Sequence, residues 1–168
     1  DQSWGQGGQA RLPAVEATFV AWARLTPIDD GGVMLAGVFA GRRSPCCGTS
    51  WGTARLGPDG SVDSSYTSVD VTLSELDGGG DIAFFPDGST VFGFNHTLQR
   101  FTPTGAPDPG WSSAPLTAPQ CRVSMLSPWR QGGLLVLTHD GCTAPGDPSV
   151  FALDEHGRTL TFSQYREA

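Results

Sequence analysis

The sequence predicts an all-β fold of the β-propeller type, with about three four-stranded antiparallel blades preceded by the tail of an earlier repeat. Two observations on composition and pattern support this prediction. The 23 Gly and 13 Pro are dispersed along the chain as turn signals, which favours many short strands. Segments such as GVMLAGV and STVFGF are apolar at nearly every position, as expected of strands that neighbouring sheets cover on both faces.

The third observation is a hairpin pattern that recurs along the chain. Apolar runs flank a glycine turn in each of three segments, with the turns at Asp30-Gly31, Asp87-Gly88 and Gln131-Gly132. Glycine accepts the positive φ that a tight hairpin turn requires, and Asp-Gly between apolar runs is a strong hairpin signal. These segments therefore predict the first two strands of each blade.

A second hairpin follows each of the first ones, with turn glycines at Gly60, Gly105 and Gly157. Beyond it, an aromatic residue stands three positions after Asp or Thr. The aromatic positions are Trp4, Tyr66, Trp111 and Phe162. The simplest role for them is to pack between sheets or to cover the outer strand. A surface that stacks on sugars, which Trp22, Trp51 and Trp129 could join, is the alternative. Two hairpins predict four strands for each repeat.

The segments DGGVMLAG and RLGPDGSVDSSY resemble the unit of the delta-60 repeat proteins of bacteria. The resemblance covers about residues 20–165 and implies a propeller on the surface of bacteria or outside the cell. The predicted domain is residues 1–168, with the tail of a preceding repeat at 1–13. Repeat 1 is expected at about 14–70, repeat 2 at about 81–112 and repeat 3 at about 121–165.

Three repeats are fewer than the four to eight blades of a typical propeller. The two terminal sheets are therefore expected to expose apolar faces that something must cover. The chain is a fragment of a larger propeller, pairs with copies of itself, or docks on a different protein chain. The start within a repeat favours a fragment or a shared blade.

The charge of the chain limits its partners. Seventeen acidic residues against ten arginines and no lysine give a net charge of −7. A nucleic acid is not an expected partner because neutralising its phosphates requires a basic surface. No apolar run approaches 18 residues, so insertion into a membrane is not expected either.

Candidate binding residues concentrate on the long connections between the predicted strands. These connections are Ala40–Trp51, Thr67–Gly80, Ser112–Gln120 and His139–Pro148, and they leave the sheets on the side opposite the glycine turns. Loops that a rigid sheet presents often carry binding residues. The candidates are Arg42, Arg43, Trp51, Trp129, His139 and Asp140.

All four cysteines are predicted on the side of the long connections. An even number of cysteines in a chain rich in strands and turns favours an oxidising compartment. Cys121 and Cys142 could form a disulfide, which leaves Cys46 and Cys47 as a vicinal disulfide, free thiols or partners of another chain. The pairing stays open because four cysteines allow three connectivities. Extracellular, cell-surface or periplasmic localisation in a bacterium is the expectation.

No motif for catalysis or for a metal is present in the sequence. GxSxG, HExxH and Walker patterns are all lacking, and the cysteines have no zinc spacing. Asp59 and Asp63 lack the alternating oxygens and terminal Glu of a calcium loop and are expected to stabilise turns. No metal or cofactor is predicted, and His139-Asp140 is the pair to test if activity appears.

The sequence supports three functional hypotheses. The first is a non-catalytic, secreted or cell-surface module that binds a protein or a glycan through the side of the sheets that carries the long connections and the cysteines. The second is a carbohydrate-processing enzyme with its site at the mouth of the propeller, built from residues scattered over several repeats. The third is a purely structural subunit of a larger surface complex.

Overall fold

A computed structural model of the 168-residue chain describes residues 3–10, 20–40, 49–72, 80–111, 122–139 and 149–160. Strands account for almost all regular structure in these residues, together with one 3₁₀ turn at Arg130–Gly132. The all-β prediction is therefore confirmed. The strands are β1 (Val20–Pro27), β2 (Val33–Ala40), β3 (Thr49–Leu56), β4 (Asp70–Thr72), β5 (Gly80–Phe84), β6 (Thr90–Phe94), β7 (Thr97–Phe101), β8 (Arg122–Pro128), β9 (Leu134–His139) and β10 (Ser149–Leu153).

The strands form three antiparallel sheets, and within each sheet strands that follow one another in the chain are neighbours. Sheet 1 has the order β1-β2-β3-β4, sheet 2 the order β5-β6-β7 and sheet 3 the order β8-β9-β10. Four strands, as predicted, occur in sheet 1. In the described part of the chain, sheets 2 and 3 have three strands each.

Each sheet ends with the same additional feature after its third strand. The chain turns back and makes one isolated antiparallel bridge, which joins Leu56 to Val62, Phe101 to Pro107 and Leu153 to Thr159. The turn glycines Gly60, Gly105 and Gly157 all have positive φ, between 76° and 83°. In sheet 1 the same bridge precedes β4 in the chain.

The first turn of each sheet is also shared. The glycines Gly31, Gly88 and Gly132 have φ of 82°, 87° and 79°, so the three predicted hairpin turns are confirmed. In sheet 1 the Ile28 N–H donates to the Gly32 carbonyl, and in sheet 3 the Trp129 N–H donates to the Gly133 carbonyl. Left-handed backbone of this kind is costly for any residue with a Cβ atom.

Two compact units make up the chain. Unit 1 comprises Asp1–Glu75, Pro86–Ser89 and Pro103–Ala106, and unit 2 comprises Leu76–Phe85, Thr90–Thr102 and Pro107–Ala168. Unit 1 therefore holds sheet 1 together with two turn segments that follow strands of sheet 2, whereas unit 2 holds the strands of sheets 2 and 3. The repeat boundaries given above stay a prediction.

The core of unit 2 shows how its two sheets pack. Gly93 of β6 has no side chain, and a Cβ atom there would lie 2.7 Å from Val123 Cγ1 and 3.0 Å from Leu126 Cδ1. Glycine thus allows β8 to lie close against β6. The buried residues of this core are Ala83, Phe85, Val91, Leu98, Trp111, Val123, Leu126, Leu134, Val136 and Leu153. Sheets 2 and 3 therefore pack face to face through apolar side chains.

Two predicted connections are shorter than expected because strand pairing continues into them. Ala40 pairs with Thr49, so β2 and β3 extend into the segment predicted as a loop from Ala40 to Trp51. Thr72 of β4 pairs with Ser50, so a strand lies within the predicted connector from Thr67 to Gly80. The connector from Ser112 to Gln120 lies outside the described residues.

Candidate functional site

Most of the predicted binding residues lie outside the described residues or at their margin. Arg42, Arg43, Asp140 and the four cysteines (Cys46, Cys47, Cys121 and Cys142) are outside them. Trp51 belongs to β3, where its backbone pairs with Val38 and Val71. His139 is the last residue of β9 and pairs with Arg122. Both Trp51 and His139 therefore lie next to the long connections of their sheets.

Trp129 belongs to the opposite end of sheet 3. It precedes the 3₁₀ turn that joins β8 to β9, and it is only partly exposed. His139 lies at the other end of β9, and the rise of a strand places the two ends of β9 about 17 Å apart. The structure therefore does not bring Trp129 and His139 together, and a single small site cannot include both of them.

We define the turn side as the ends of the sheets that carry the positive-φ glycines. Its aspartate carboxylates accept hydrogen bonds from the backbone of their own turns. In the described part of the chain, six aspartates accept a hydrogen bond from the N–H two residues ahead, at 2.8–2.9 Å. They are Asp30, Asp59, Asp63, Asp87, Asp108 and Asp154. The turn role predicted for Asp59 and Asp63 is confirmed. These carboxylates stabilise turns in the way typical of Asx residues.

Hydrogen bonds also set the ionisation of three of these carboxylates. The Gly32 N–H and then the Arg55 guanidinium hold the pKa of Asp30 below its ordinary value. The Ser61 hydroxyl and N–H lower the pKa of Asp59, and the corresponding groups of Ser65 lower the pKa of Asp63. A carboxylate that accepts several hydrogen bonds favours its charged form, so these groups are ionised at neutral pH.

Arg55 connects several of these turns within unit 1. Its guanidinium donates to the Asp30 carboxylate and lies 3.4 Å from Asp63 Oδ2. It also donates to the Pro103 carbonyl at 3.0 Å. The Arg55 side chain is 18% exposed, so water screens these contacts only in part. Arg55 therefore joins both turns of sheet 1 to the turn that follows β7.

Arg100 makes an equivalent set of contacts within unit 2. Its Nε lies 3.6 Å from Asp108 Oδ2, and its Nη1 donates to the Glu155 carbonyl at 2.9 Å. The guanidinium also lies 5.0 Å from the centre of the Phe85 ring, a cation–π distance. Arg55 and Arg100 both precede the bridge residue of their sheet. Each reaches a carbonyl of the corresponding turn in the next sheet.

Sheet 3 shares one backbone hydrogen bond with sheets 1 and 2 but lacks their Arg and Asp side chains. Asp63 and Asp108 donate their N–H groups to the carbonyls of Arg55 and Arg100. In sheet 3 the same bond runs from the Leu160 N–H to the Ala152 carbonyl. Sheet 3 therefore has Ala and Leu where sheets 1 and 2 have an Arg and Asp pair.

A backbone contact accompanies the aromatic positions. Thr67, which follows Tyr66, donates its N–H to the Thr104 carbonyl at 2.8 Å. Gly5, which follows Trp4, donates its N–H to the Asp59 carbonyl at 2.6 Å. Thr104 and Asp59 occupy the same position in their turns. The segment Ser3–Gly8 thus contacts the turn of sheet 1 as the segment after Tyr66 contacts the turn that follows β7.

Two of the repeated aromatic residues pack in the interior. Trp111 belongs to the core of unit 2, and the Tyr66 hydroxyl forms a buried hydrogen bond of 2.8 Å with Thr53 Oγ1. Both residues are less than a tenth exposed. Packing between sheets is confirmed for Trp111, whereas Tyr66 is buried with its hydroxyl bonded to Thr53 of β3. A sugar-stacking role is wrong for both residues because their rings are not accessible. Phe162 lies outside the described residues.

Sequence reasoning did not identify Arg55 and Arg100. The available signal was their spacing, since an Arg one residue before an apolar strand end is followed eight residues later by Asp in both RLGPDGSVD and RFTPTGAPD. The third repeat lacks this pattern. Surface arginines are common, and only the structure shows that these two lie over neighbouring turns.

Comparison with known proteins adds no assignment. No family model matches the chain, and no curated protein matches it either. The resemblance to the delta-60 repeat proteins therefore stays a prediction. Among the described residues, no group of three or more His, Cys, Asp or Glu side chains is arranged to hold a metal ion. The same residues include no helix that is long and apolar enough to cross a membrane.

Proposed function

We propose that this chain is a non-catalytic binding module built on a β-propeller-type stack of antiparallel sheets. The main support is the set of contacts that recurs from one sheet to the next: Arg55 to the Pro103 carbonyl, and Arg100 to the Glu155 carbonyl. Face-to-face packing of sheets 2 and 3 around Gly93 also supports it. Propeller blades are short antiparallel sheets that pack radially in this manner.

The ligand of the module is a protein or a glycan, bound on the loop side, the sheet ends opposite the turn side. On the turn side, Arg55 and Arg100 are engaged in contacts with other turns, and the aspartates described above accept hydrogen bonds from their own turns. Trp51 and His139 border the loop side, and Arg42, Arg43 and Asp140 belong to its connections. An aromatic ring with nearby charged and polar groups suits a sugar, whose ring has one apolar face.

We place the module outside the bacterial cytoplasm, at the cell surface, in the periplasm or in the medium. The four cysteines of the loop side support this proposal because disulfides form and persist in oxidising compartments. A measurement of free thiols in the protein purified without reductant tests it directly. Four free thiols would contradict the proposed compartment.

Binding through the loop side can be tested with a glycan array and single-residue variants. We expect the purified chain to bind one glycan class, and the variants Arg42→Ala and Arg43→Ala to lose most of that binding. Arg158→Ala removes the same charge from an exposed position of the turn side and serves as the matched control. Equal losses in Arg43→Ala and Arg158→Ala would contradict the loop-side assignment.

The same preparation tests whether the module is non-catalytic. A panel of oligosaccharide substrates is incubated with the chain and with the variant His139→Ala. We expect no turnover by either protein. Turnover that is lost in His139→Ala would overturn the proposal and favour a carbohydrate-processing enzyme.

A role in assembly is the second candidate, and a specific observation favours it. Among the side chains that the structure describes, three large apolar ones are exposed on the sheets: Leu25 at 64%, Met125 at 54% and Val150 at 66%. Exposed apolar side chains that lie together on one sheet face indicate a surface that another protein covers. These residues belong to sheets 1 and 3, the terminal sheets of the chain.

A further inference from the structure

The exposed face of sheet 1 is apolar. Leu25, Leu35 and Ala54 pair across β1, β2 and β3 and therefore lie in one row on one face. Leu25 is 64% exposed, and Leu35 and Ala54 are partly exposed. Met34 and Ala36 point to the opposite face, where they are 0% and 1% exposed. We call the row Leu25–Leu35–Ala54 the open face of sheet 1.

Sheet 3 has an open face of its own. Met125, Leu137 and Val150 pair across β8, β9 and β10, so these three apolar side chains form one row. Met125 and Val150 are more than half exposed, and Leu137 is partly exposed. Leu126 and Val136 point to the opposite face and belong to the core of unit 2. We call the row Met125–Leu137–Val150 the open face of sheet 3.

The two open faces are opposite faces of equivalent sheets. The turn glycines Gly31 and Gly132 and the bridge residues Leu56 and Leu153 align sheet 1 with sheet 3. In this alignment the open face of sheet 1 corresponds to the row of sheet 3 that faces the core of unit 2. The equivalent pairs are Leu25 with Leu126, Leu35 with Val136 and Ala54 with Phe151.

The reverse correspondence also holds. Leu137 is equivalent to Ala36 and Val150 to Thr53, which are 1% and 2% exposed. Met125 is equivalent to Arg24, which is partly exposed. The row that sheet 3 exposes therefore corresponds to a row of sheet 1 that is buried at two of its three positions. A stack of equivalent sheets that all point the same way leaves two such faces at its ends, and the two faces are complementary rather than identical.

We infer that the open face of sheet 1 binds the open face of sheet 3 of a second copy, head to tail. This inference rests on the propeller-type stacking proposed above, and it names the partner. In unit 2, sheet 2 covers the face of sheet 3 that corresponds to the open face of sheet 1. The second copy places sheet 3 against sheet 1 in the same order, and both open rows are free of charged side chains.

A head-to-tail interface makes a distinctive prediction for mixtures of variants. Leu25→Glu damages only the open face of sheet 1, and Val150→Glu damages only the open face of sheet 3. Both side chains are about two-thirds exposed, so each variant should fold as the wild type does. In a sample of one variant, every contact between copies includes one damaged face. In an equal mixture, the intact open face of sheet 3 in Leu25→Glu can bind the intact open face of sheet 1 in Val150→Glu.

Native mass spectrometry in reducing buffer distinguishes the outcomes, with circular dichroism as the check on folding. We expect the wild type to form a species of two copies, and each variant to associate at least about 30-fold more weakly, the factor for removing one leucine-sized side chain from burial. The mixture should regain a species with one copy of each variant. Ser64→Glu adds the same charge at an exposed turn and should associate like the wild type.

Three results would overturn the inference. A folded wild type that stays a single copy at all concentrations excludes self-association but leaves binding by the loop side intact. Association that Leu25→Glu abolishes and Val150→Glu leaves unchanged indicates identical faces pairing. A mixture that remains single copies shows that the two open faces do not meet. Loss of glycan binding in Arg43→Ala is independent of all three results, so the two proposals fail separately.

Discussion

The contact between the Thr67 backbone and the turn that follows β7 can be tested by adding one methyl group. Gly105 has φ of 83° and lies against Thr67. A Cβ atom at Gly105 would overlap the Thr67 carbonyl oxygen and lie 2.9 Å from the Thr67 carbonyl carbon. Backbone atoms cannot rotate away as a flexible side chain does. Gly105→Ala must therefore displace the turn and break the hydrogen bond from Thr67 to Thr104.

The cost has two parts. Left-handed backbone costs a residue with a Cβ atom roughly 1–2 kcal/mol. Loss of the hydrogen bond adds about 0.5–1.5 kcal/mol. We therefore expect Gly105→Ala to lower the free energy of unfolding by about 2–4 kcal/mol, with the clash itself at the upper end. Gly31 provides the matched control, since its φ is 82° and its nearest contact would be Pro58 Cβ at 3.4 Å. Gly31→Ala should cost only the first part.

Urea unfolding followed by tryptophan fluorescence and circular dichroism measures both variants. The account predicts that Gly105→Ala unfolds at a lower urea concentration than Gly31→Ala. With a typical slope, a difference of about 1–2 kcal/mol shifts the midpoint by roughly 0.5–1 M. Equal midpoints for the two variants would refute the reasoning, because they would show that the Gly105 turn does not lie against the Thr67 backbone.

Three further predictions concern single side chains. Tyr66→Phe should lower the free energy of unfolding by about 1 kcal/mol, because it removes the buried hydrogen bond to Thr53. Thermal unfolding of Tyr66→Phe, Thr53→Val and the double variant measures the energetic coupling between the two side chains. Leu126→Ala should cost about 2–5 kcal/mol in urea unfolding by leaving a cavity in the core of unit 2, and an effect below about 1 kcal/mol would contradict that packing. Hydrogen bonds from Ser65 lower the pKa of Asp63 in the folded protein, so their stabilisation is complete at neutral pH and is lost as pH falls below about 3.9. Asp63→Asn should therefore reduce the dependence of the thermal midpoint on pH between about 5 and 2, and an unchanged dependence would contradict this role.

Local patterns predicted much of the fold. Each glycine turn was identified from its position between two apolar runs, because positive φ is a local requirement that few residues meet. The ends of the strands were predicted less well. Thr49–Trp51 and Asp70–Thr72 are polar enough to suggest loops, yet they pair with β2 and β3, and pairing depends on neighbours distant in sequence.

The candidate site was less predictable than the fold. Trp129 is a candidate for a surface that stacks on sugars, and His139 is a candidate because it stands beside Asp140 in a long connection. The structure places them at opposite ends of β9. Arg55 was overlooked because its partners come from three separate turns, and one of them is the backbone carbonyl of Pro103. Contacts between turns distant in sequence leave only a weak spacing signal in a single sequence.

The stacking of successive sheets through their turns is the claim on which both proposals depend, and amide hydrogen exchange tests it most directly. The N–H groups of Thr67 and Asp29 belong to exposed residues outside the strands, and they donate to the Thr104 and Pro86 carbonyls at 2.8 Å. We predict that both amides exchange at least about 100-fold more slowly than in an unstructured chain, at rates near those of the paired strand residue Ala36. Unprotected Thr67 and Asp29 amides beside a protected Ala36 amide would show folded sheets whose turns do not meet, and would contradict the account.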